Sequence, residues 1–158
     1  MYKNYLKLVG NKVITSINIP INSTILSFSG NLYERKSLIH NMDQVLQIGQ
    51  DRFIGPSGTI DDYIRHSCNP NCYIHIAGNC ATLYSLYVIP INTEITFDYS
   101  VNSTDSSEEW QIECNCGDFN CRKIISGFHS LDDKIKENYL KKDIVPLFIT
   151  NPIFFKKI

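Results

Sequence analysis

The sequence lacks the residues and runs that build long helices or membrane spans. Alanine occurs only twice in 158 residues, at Ala77 and Ala81, and scarcity of the strongest helix former favours β-structure. No apolar run approaches the roughly 20 residues that a membrane span needs, and the N-terminal segment has no apolar region typical of signal peptides. The length suffices for one domain with a single core. We therefore expect an intracellular protein, cytoplasmic or nuclear, with no membrane partner.

Positive charge is missing from the middle third of the chain. Residues 66–121 contain no lysine or arginine and seven acidic residues, whereas residues 122–158 carry eight basic and four acidic residues. Such a segment repels nucleic-acid phosphates and attracts cations, which argues against direct nucleic-acid binding. A solvated acidic face explains the same pattern without any function.

Cysteine is absent from the first 67 residues, and all six cysteines lie between residues 68 and 121. A chain of this length does not need disulfides to fold. Cys114, Cys116 and Cys121 are spaced closely enough to wrap a metal, and their thiolates would supply three of the four ligands that zinc requires. Buried free cysteines are the alternative interpretation. The candidates for a fourth zinc ligand are Cys68, Cys72, Cys80 and His66.

Short β-branched segments predict a mainly β, or β-rich α+β, fold built from several small sheets. Two of these segments flank a turn at residues 49–51 and two others flank a turn at residues 77–79, so each pair predicts a hairpin. Residues 101–109 predict a loop, and no internal repeat is evident. The predicted strands are residues 12–19, 25–32, 45–48, 52–54, 73–76, 81–88 and 95–99.

Apolar residues recur every four positions from Leu131 to Tyr139, which predicts one C-terminal helix. Ser130 with Asp133 three residues later resembles a capping box at its start. Pro146 is expected to end the helix, because proline removes a backbone donor. The apolar tail that follows, residues 147–155, is expected to pack on the body of the protein.

Three motifs follow one another in a fixed order. The first is His-Ser-Cys-Asn-Pro-Asn at residues 66–71, the second is Glu-Ile-Thr-Phe-Asp-Tyr at residues 94–99, and the third is Cys-x-Cys-x4-Cys-Arg at residues 114–122. In this order and spacing they resemble the signatures of the SET-domain family of protein-lysine methyltransferases, the third being its post-SET zinc module. Residues 13–30 resemble the family's first strand pair.

The resemblance implies a fold and a division of the chain. The fold is a SET-domain β-fold of several small sheets with a pseudoknot, in which the chain around the first motif threads under the loop after the second. The SET domain would span residues 1–110, the post-SET zinc-binding module residues 111–127, and a helical extension packed on the body residues 128–158.

The resemblance also implies one structural zinc ion. The pseudoknot would bring Cys68 to the post-SET cysteines, so that Cys72 and Cys80 are left as packing residues. The implied zinc ligands are Cys68, Cys114, Cys116 and Cys121.

The implied activity is transfer of methyl groups from S-adenosylmethionine to lysine in a basic, Lys/Arg-rich, histone-like protein segment. Tyr99 would be the catalytic residue, and Phe28, Phe97 and Tyr99 would line the substrate-lysine channel. In the family, phenylalanine at the place of Phe97 goes with room for di- or trimethylation. The acidic middle of the chain would attract the basic substrate.

The residues expected to bind the cofactor come from several parts of the chain. Arg65 stands where the family has asparagine, and the family's glycine-rich turn is reduced to Gly10. These two differences support an alternative, a catalytically inactive, zinc-stabilised SET module that binds basic peptides. The implied cofactor-binding residues are Lys12, Tyr63, Arg65, His66 and Asn115.

Overall fold

The computed structural model describes residues 1–37, 44–105 and 110–151. In these ranges twelve short strands form five small sheets, and two α-helices follow near the C-terminus. The strands are β1 (Leu6–Val9), β2 (Lys12–Thr15), β3 (Thr24–Ser27), β4 (Leu32–Glu34), β5 (Leu46–Gln47), β6 (Arg52–Ile54), β7 (Arg65–His66), β8 (Cys72–Ala77), β9 (Cys80–Ser85), β10 (Thr96–Phe97), β11 (Ile112–Glu113) and β12 (Ile124–Ile125). The helices are α1 (Asp133–Lys141) and α2 (Leu147–Thr150), and 3₁₀ turns lie at Lys3–Tyr5, Arg35–Ser37, Ile60–Tyr63, Tyr99–Asn102 and Phe128–Ser130.

Most strand pairs are antiparallel and join elements that are close in sequence. Strands β1 and β2 form a hairpin, as do β11 and β12, while β3–β9–β8 and β4–β6–β5 form two three-stranded sheets. The two hairpins predicted from the sequence are confirmed, because β5 pairs with β6 and β8 pairs with β9. The predicted β-rich fold of several small sheets is therefore correct.

The expected strand pair at residues 13–30 is wrong. Strand β2 pairs with β1, and β3 pairs with β9, so the two segments do not pair with each other. Strand β1 was not predicted from the sequence, because only Leu6 of its four residues is buried and the segment shows no alternation of buried and exposed residues. The predicted strand at residues 95–99 also ends early, since Tyr99 begins a 3₁₀ turn directly after β10.

The first and second motifs lie side by side, as the implied pseudoknot requires. Strands β7 and β10 form a parallel pair, and the Ser67 N–H extends it by donating to the Phe97 carbonyl at 3.1 Å. The Asn71 side chain adds two bonds, donating to the Glu94 carbonyl at 2.7 Å and accepting from the Thr96 N–H at 3.0 Å. A half-buried amide with both ends hydrogen-bonded fixes the crossing of the two segments.

Two stretches of chain, residues 13–25 and 83–95, pair with each other in a local two-fold pattern, and we call them the first and second arms. Ile19 and Ile89 exchange both backbone hydrogen bonds at 2.8 Å. The Thr15 N–H donates to the Thr93 carbonyl at 3.1 Å, and the corresponding bond in the other arm joins Ser85 to Ser23 at 3.0 Å. The two arms therefore make equivalent contacts with one another.

The sequence of each arm carries the same turn, Ile-Pro-Ile-Asn, at residues 19–22 and 89–92. Its asparagine adopts the left-handed conformation in both arms, with φ of 58° at Asn22 and 64° at Asn92. Asparagine is one of the few residues that adopt this region readily. The expectation of no internal repeat is therefore wrong for this short segment.

The buried residues form two clusters. The larger cluster lies between the sheets and includes Val13, Ile25, Leu83 and Ile95, each of which is 0% exposed. The smaller cluster is built by the C-terminal extension, and Val101 of the 3₁₀ turn after β10 belongs to it. The extension thus packs on the body through Phe128, Leu131, Tyr139, Ile144, Val145, Phe148 and Ile149.

Helix α1 is confirmed, but its boundaries differ from those expected. Its N-cap is Asp132, whose side chain accepts from the Lys134 N–H at 2.9 Å, because Ser130 is part of the preceding 3₁₀ turn. The helix ends at Lys141, and Pro146 precedes α2 instead of ending α1. The predicted tail at residues 147–155 lies within the described residues only up to Asn151. Among the described helices, none is long and apolar enough to cross a membrane.

Candidate functional site

A cavity of about 650 Å³ lies beside the end of β10. Phe28, Phe97 and Tyr99 line it together, with ring centroids 6.0 Å apart for Phe28 and Phe97 and 4.8 Å apart for Phe97 and Tyr99. The structure thus brings the three predicted channel residues together. Strand β3 leads into Phe28 and β10 ends at Phe97, so two different sheets position the aromatic wall.

The rest of the cavity wall was not predicted from the sequence. Apolar residues of β5 and β6 line one part of it, and Trp110 and Ile112 line another. Trp110 is the single tryptophan of the chain, a residue type whose large ring commonly builds binding surfaces. The presence of one tryptophan was therefore the feature of the sequence that could have identified this part of the wall.

The Tyr99 hydroxyl is held by the main chain. It donates to the Ile64 carbonyl at 2.8 Å, and the Tyr99 N–H donates to Nδ1 of His66 at 3.2 Å. Burial raises the pKa of Tyr99 to about 12, so the phenol stays neutral at physiological pH. Because its proton points to Ile64, the Tyr99 oxygen can offer only lone pairs to another group.

His66 connects Tyr99 to the cysteine cluster. Its side chain is 6% exposed, and burial lowers its pKa to about 4, so the imidazole is neutral. Nδ1 accepts the Tyr99 N–H, which leaves the proton on Nε2, 3.3 Å from the Cys68 sulfur. The His66 side chain is therefore committed to this link.

Asp98 is a buried carboxylate with several donors. Arg122 binds it through two nitrogens at 2.7 and 2.8 Å, and the Tyr139 hydroxyl donates to Oδ2 at 2.8 Å. Burial opposes the charge of Arg122, but the hydrogen bonds and charge of Asp98 outweigh it and raise the pKa of Arg122. Asp98 and Arg122 stand inside the sequence motifs, whereas nothing in the sequence pairs them with Tyr139.

Two of the predicted cofactor-binding residues meet at Glu94, the first residue of the second motif, for which the sequence indicated no partner. Arg65 binds Glu94 in a two-pronged contact at 2.7 and 3.0 Å, and the Lys12 ammonium lies 3.8 Å from Glu94. Tyr63 and Asn115 are exposed. Within the described ranges no hydrogen bond joins either of them to Lys12 or Arg65.

Internal ion pairs use part of the acidic middle of the chain. Of its seven acidic residues, Glu94 binds Arg65, Asp98 binds Arg122, and Asp105 lies 2.6 Å from Arg35. The negative charge available to a substrate is therefore smaller than the composition suggests.

Four cysteines form a cluster that could hold a metal ion. The sulfurs of Cys68, Cys114, Cys116 and Cys121 all lie within 4.8 Å of one another, and those of Cys68 and Cys114 are 3.7 Å apart. A tetrahedral zinc ion with Zn–S bonds of about 2.3 Å separates its sulfurs by about 3.8 Å, so the group fits zinc. Cys72 is buried and Cys80 exposed, and neither belongs to this cluster.

The cysteine cluster favours one thiolate over the others. Burial raises the pKa of Cys114 to about 12. At Cys116 burial also disfavours the thiolate, but the backbone N–H groups of Cys68 and Asp118 outweigh it and lower the pKa to about 7. Zinc binding through all four sulfurs must therefore displace the proton of Cys114.

Comparison with known proteins identifies relatives of this arrangement. Histone-lysine N-methyltransferase NSD3 of Mus musculus is 32% identical over 114 residues, which is 62% of this chain and 7% of that protein. An H3 lysine-36 specific histone-lysine N-methyltransferase of Debaryomyces hansenii is 34% identical over 101 residues, which is 60% of this chain and 13% of that protein. The chain therefore spans only a small part of these relatives.

Solved structures share the fold. SUVH6 of Arabidopsis thaliana in complex with SAM matches with a TM-score of 0.61 and 23% identity, over 74% of this chain and 31% of that one. KRYPTONITE in complex with mCHG DNA and SAH matches with a TM-score of 0.60 and 23% identity, over 72% of this chain and 26% of that one. These likenesses concern the fold.

The family model described as the SET domain matches residues 10–100, more than half of the chain. That span contains the parallel pair β7–β10 and the three aromatic residues of the cavity. The protein belongs to the SET-domain family.

Proposed function

We propose that this chain is an S-adenosylmethionine-dependent protein-lysine N-methyltransferase. The observation that carries the proposal is the cavity beside β10. Phe28, Phe97 and Tyr99 line it, and the Tyr99 hydroxyl is fixed and neutral there. The relatives named histone-lysine N-methyltransferases support it, as do the SAM and SAH complexes of SUVH6 and KRYPTONITE.

The aromatic wall would prepare the lysine for reaction. A lysine amine has an ordinary pKa of about 10.4 and attacks only when neutral. Phe28 and Phe97 would exclude water from it, and desolvation lowers an amine pKa. The Tyr99 oxygen, whose proton is engaged with Ile64, would accept a hydrogen bond from the amine and orient it. When bound, S-adenosylmethionine supplies an electrophilic methyl group on a sulfonium.

Lys12, Tyr63, Arg65, His66 and Asn115 are proposed to hold the cofactor. This set offers a cation, an exposed aromatic ring and an amide, which suit a molecule with a carboxylate and an adenine. The Arg65 and His66 side chains are already bound to Glu94 and to Cys68. These two residues would therefore offer the cofactor their main chain.

Cys68, Cys114, Cys116 and Cys121 are proposed to bind one structural zinc ion. Four thiolates close the coordination sphere, so the ion would stabilise the fold and take no part in the reaction. The post-SET module, residues 111–127, would depend on it for its order.

The proposed substrate is a lysine in a basic, histone-like protein segment in the nucleus, and the proposed products include di- or trimethyllysine. The names of the relatives support the substrate class and the compartment. Phe97 supports the higher products, because phenylalanine brings no hydroxyl to bind the amine or the water beside it. The DNA in the KRYPTONITE complex is a ligand of that protein.

The test is methyl transfer from tritiated S-adenosylmethionine to core histones, with mass spectrometry of the products. We expect incorporation by the zinc-loaded wild type and a loss of about 100-fold or more in Tyr99→Phe, which keeps the ring and removes the hydroxyl. Tyr87→Phe is the matched control, since Tyr87 is exposed and its hydroxyl accepts from the Lys142 ammonium, the one partner that it has in the described part of the chain. No incorporation, together with no S-adenosylmethionine binding by calorimetry, would refute the proposal. That result would favour the inactive module that binds basic peptides, because the differences at Arg65 and Gly10 that motivate it affect cofactor binding.

A further inference from the structure

The C-terminal helix places one polar group beside the proposed active site. Tyr139 of α1 is 5% exposed, and its hydroxyl donates to Oδ2 of Asp98 at 2.8 Å. Asp98 directly precedes Tyr99 in the chain, and its side chain is 1% exposed. The ring of Tyr139 belongs to the smaller core cluster, while its hydroxyl leaves that cluster to reach the carboxylate.

The same carboxylate is bound by two other parts of the fold. Arg122, next to the cysteine Cys121, holds both carboxylate oxygens, and the Ser100 N–H donates to Oδ1 at 3.0 Å from the 3₁₀ turn that begins at Tyr99. The Arg122 N–H also lies 3.4 Å from the Cys68 sulfur. One carboxylate thus connects α1, the zinc-binding cysteines and the turn that carries Tyr99.

A buried carboxylate keeps its position only while its oxygens are satisfied, because water cannot replace a missing donor. Without the Tyr139 hydroxyl, Arg122 is the one donor that Oδ2 retains among the described residues. Asp98 and Arg122 would then gain freedom to shift together, and Arg122 would carry that motion to the cysteine cluster.

We propose that Tyr139 is a positioning residue, which couples the C-terminal helix to the zinc centre and to Tyr99 through Asp98. The catalytic side of this proposal rests on the proposed function, whereas the coupling to zinc does not. The extension would therefore complete the active site. A helix packed there by apolar contacts alone would not hold Asp98 in position.

The test compares Tyr139→Phe with Tyr87→Phe in the full zinc-loaded chain. Each variant removes one tyrosine hydroxyl that bonds the C-terminal region to the body, but only Tyr139 reaches Asp98. The first measurement is the rate at which zinc passes to a chromogenic chelator, well below the melting temperature of each variant. We expect release about tenfold faster in Tyr139→Phe and unchanged in Tyr87→Phe, since one lost charge-assisted hydrogen bond corresponds to roughly that factor.

The second measurement is steady-state methyl transfer. Tyr139→Phe should lower kcat about tenfold and leave KM for the histone substrate within about twofold, because the variant disturbs the orientation of Tyr99 and not the substrate groove. If the wild type transfers no methyl group, the proposed function fails, and zinc release alone then decides the coupling.

A double-mutant cycle separates the coupling from simple loss of stability. Adding Arg122→Lys, which keeps one charge but loses the two-pronged contact, should accelerate zinc release less in Tyr139→Phe than in the wild type, since both changes act on one carboxylate. Zinc release at the wild-type rate in Tyr139→Phe, or strict additivity in the cycle, would overturn the proposal.

Discussion

Replacing Asp61 by asparagine should destabilise the cavity wall, and only where this carboxyl is ionised. Asp61 is 2% exposed and accepts hydrogen bonds from the Ser29 N–H at 2.9 Å, the Ser57 hydroxyl at 2.8 Å and the Thr59 hydroxyl, together with a longer one from the Ser29 hydroxyl at 3.3 Å. Burial alone would raise the pKa of Asp61, but these donors outweigh it and lower the pKa. The carboxylate thereby ties the segment after β6 to the loop after Phe28.

The magnitude follows from the three shorter hydrogen bonds. A hydrogen bond to a charged acceptor contributes about 1.5–3 kcal/mol and one to a neutral acceptor about 0.5–1.5 kcal/mol, so three donors lose about 3 kcal/mol in Asp61→Asn. At roughly 2–4 °C per kcal/mol for a domain of this size, the melting temperature should fall by about 6–12 °C at pH 7.

The pH dependence gives the refuting result. Because the pKa of Asp61 is lower in the folded protein, its stabilisation is complete above the unfolded value of about 3.9 and disappears as the pH falls through the folded value. Urea denaturation from pH 7 towards lower pH should therefore show a gap between wild type and Asp61→Asn that is constant down to about pH 4 and narrows below it. A gap that stays constant below that pH, or a variant as stable as wild type at pH 7, refutes the reasoning. Asp51→Asn makes the same charge change at a side chain that is 72% exposed and should show no gap.

Three further predictions concern the channel, the metal and the paired turns. Phe97→Tyr should shift the products towards monomethyllysine, because the new hydroxyl would bind the amine or a water where further methyl groups need space; an unchanged product distribution by mass spectrometry would contradict this. Removing zinc with a chelator should increase amide hydrogen exchange at residues 114–128 and abolish S-adenosylmethionine binding before the β-sheets unfold; protection that survives in this segment would count against the four-cysteine site. Asn22→Ala and Asn92→Ala should each lower the free energy of unfolding by about 1 kcal/mol, whereas the glycine variants should match wild type within about 0.5 kcal/mol, since both turns have positive φ. Alanine and glycine variants of equal stability would disprove that account.

Features that depend on neighbouring residues were predictable from the sequence. The turns at residues 49–51 and 77–79 connect strands that pair with each other, so local turn residues and β-branched runs were sufficient. The grouping of Cys68 with the later cysteines came from the resemblance to a family, because nothing in the spacing itself distinguishes Cys68 from Cys72 or Cys80.

Features that depend on long-range pairing could not be predicted. Arg65 and Glu94 form an ion pair across two motifs, and Tyr139 donates to Asp98 from a helix whose apolar spacing made it look like an ordinary core residue. Strand β1 was missed because its exposed residues carry no alternation, and its pairing with β2 alone defines it. In each case the role of the side chain or the strand is set by a partner that the sequence does not identify.

The two-fold pairing of residues 13–25 with residues 83–95 also has a consequence for folding. Its central pair, Ile19 and Ile89, closes a loop of 70 positions, and bringing such ends together costs about 4 kcal/mol in chain entropy. The other bonds of the pair join residues that are then already adjacent, so they form at little further entropic cost.

Pairs this distant in sequence slow the search for the native topology. Phe28 follows the first arm, and Phe97 and Tyr99 follow the second. The aromatic wall of the cavity therefore depends on both arms being paired. We expect the wall to form only once the two arms have joined.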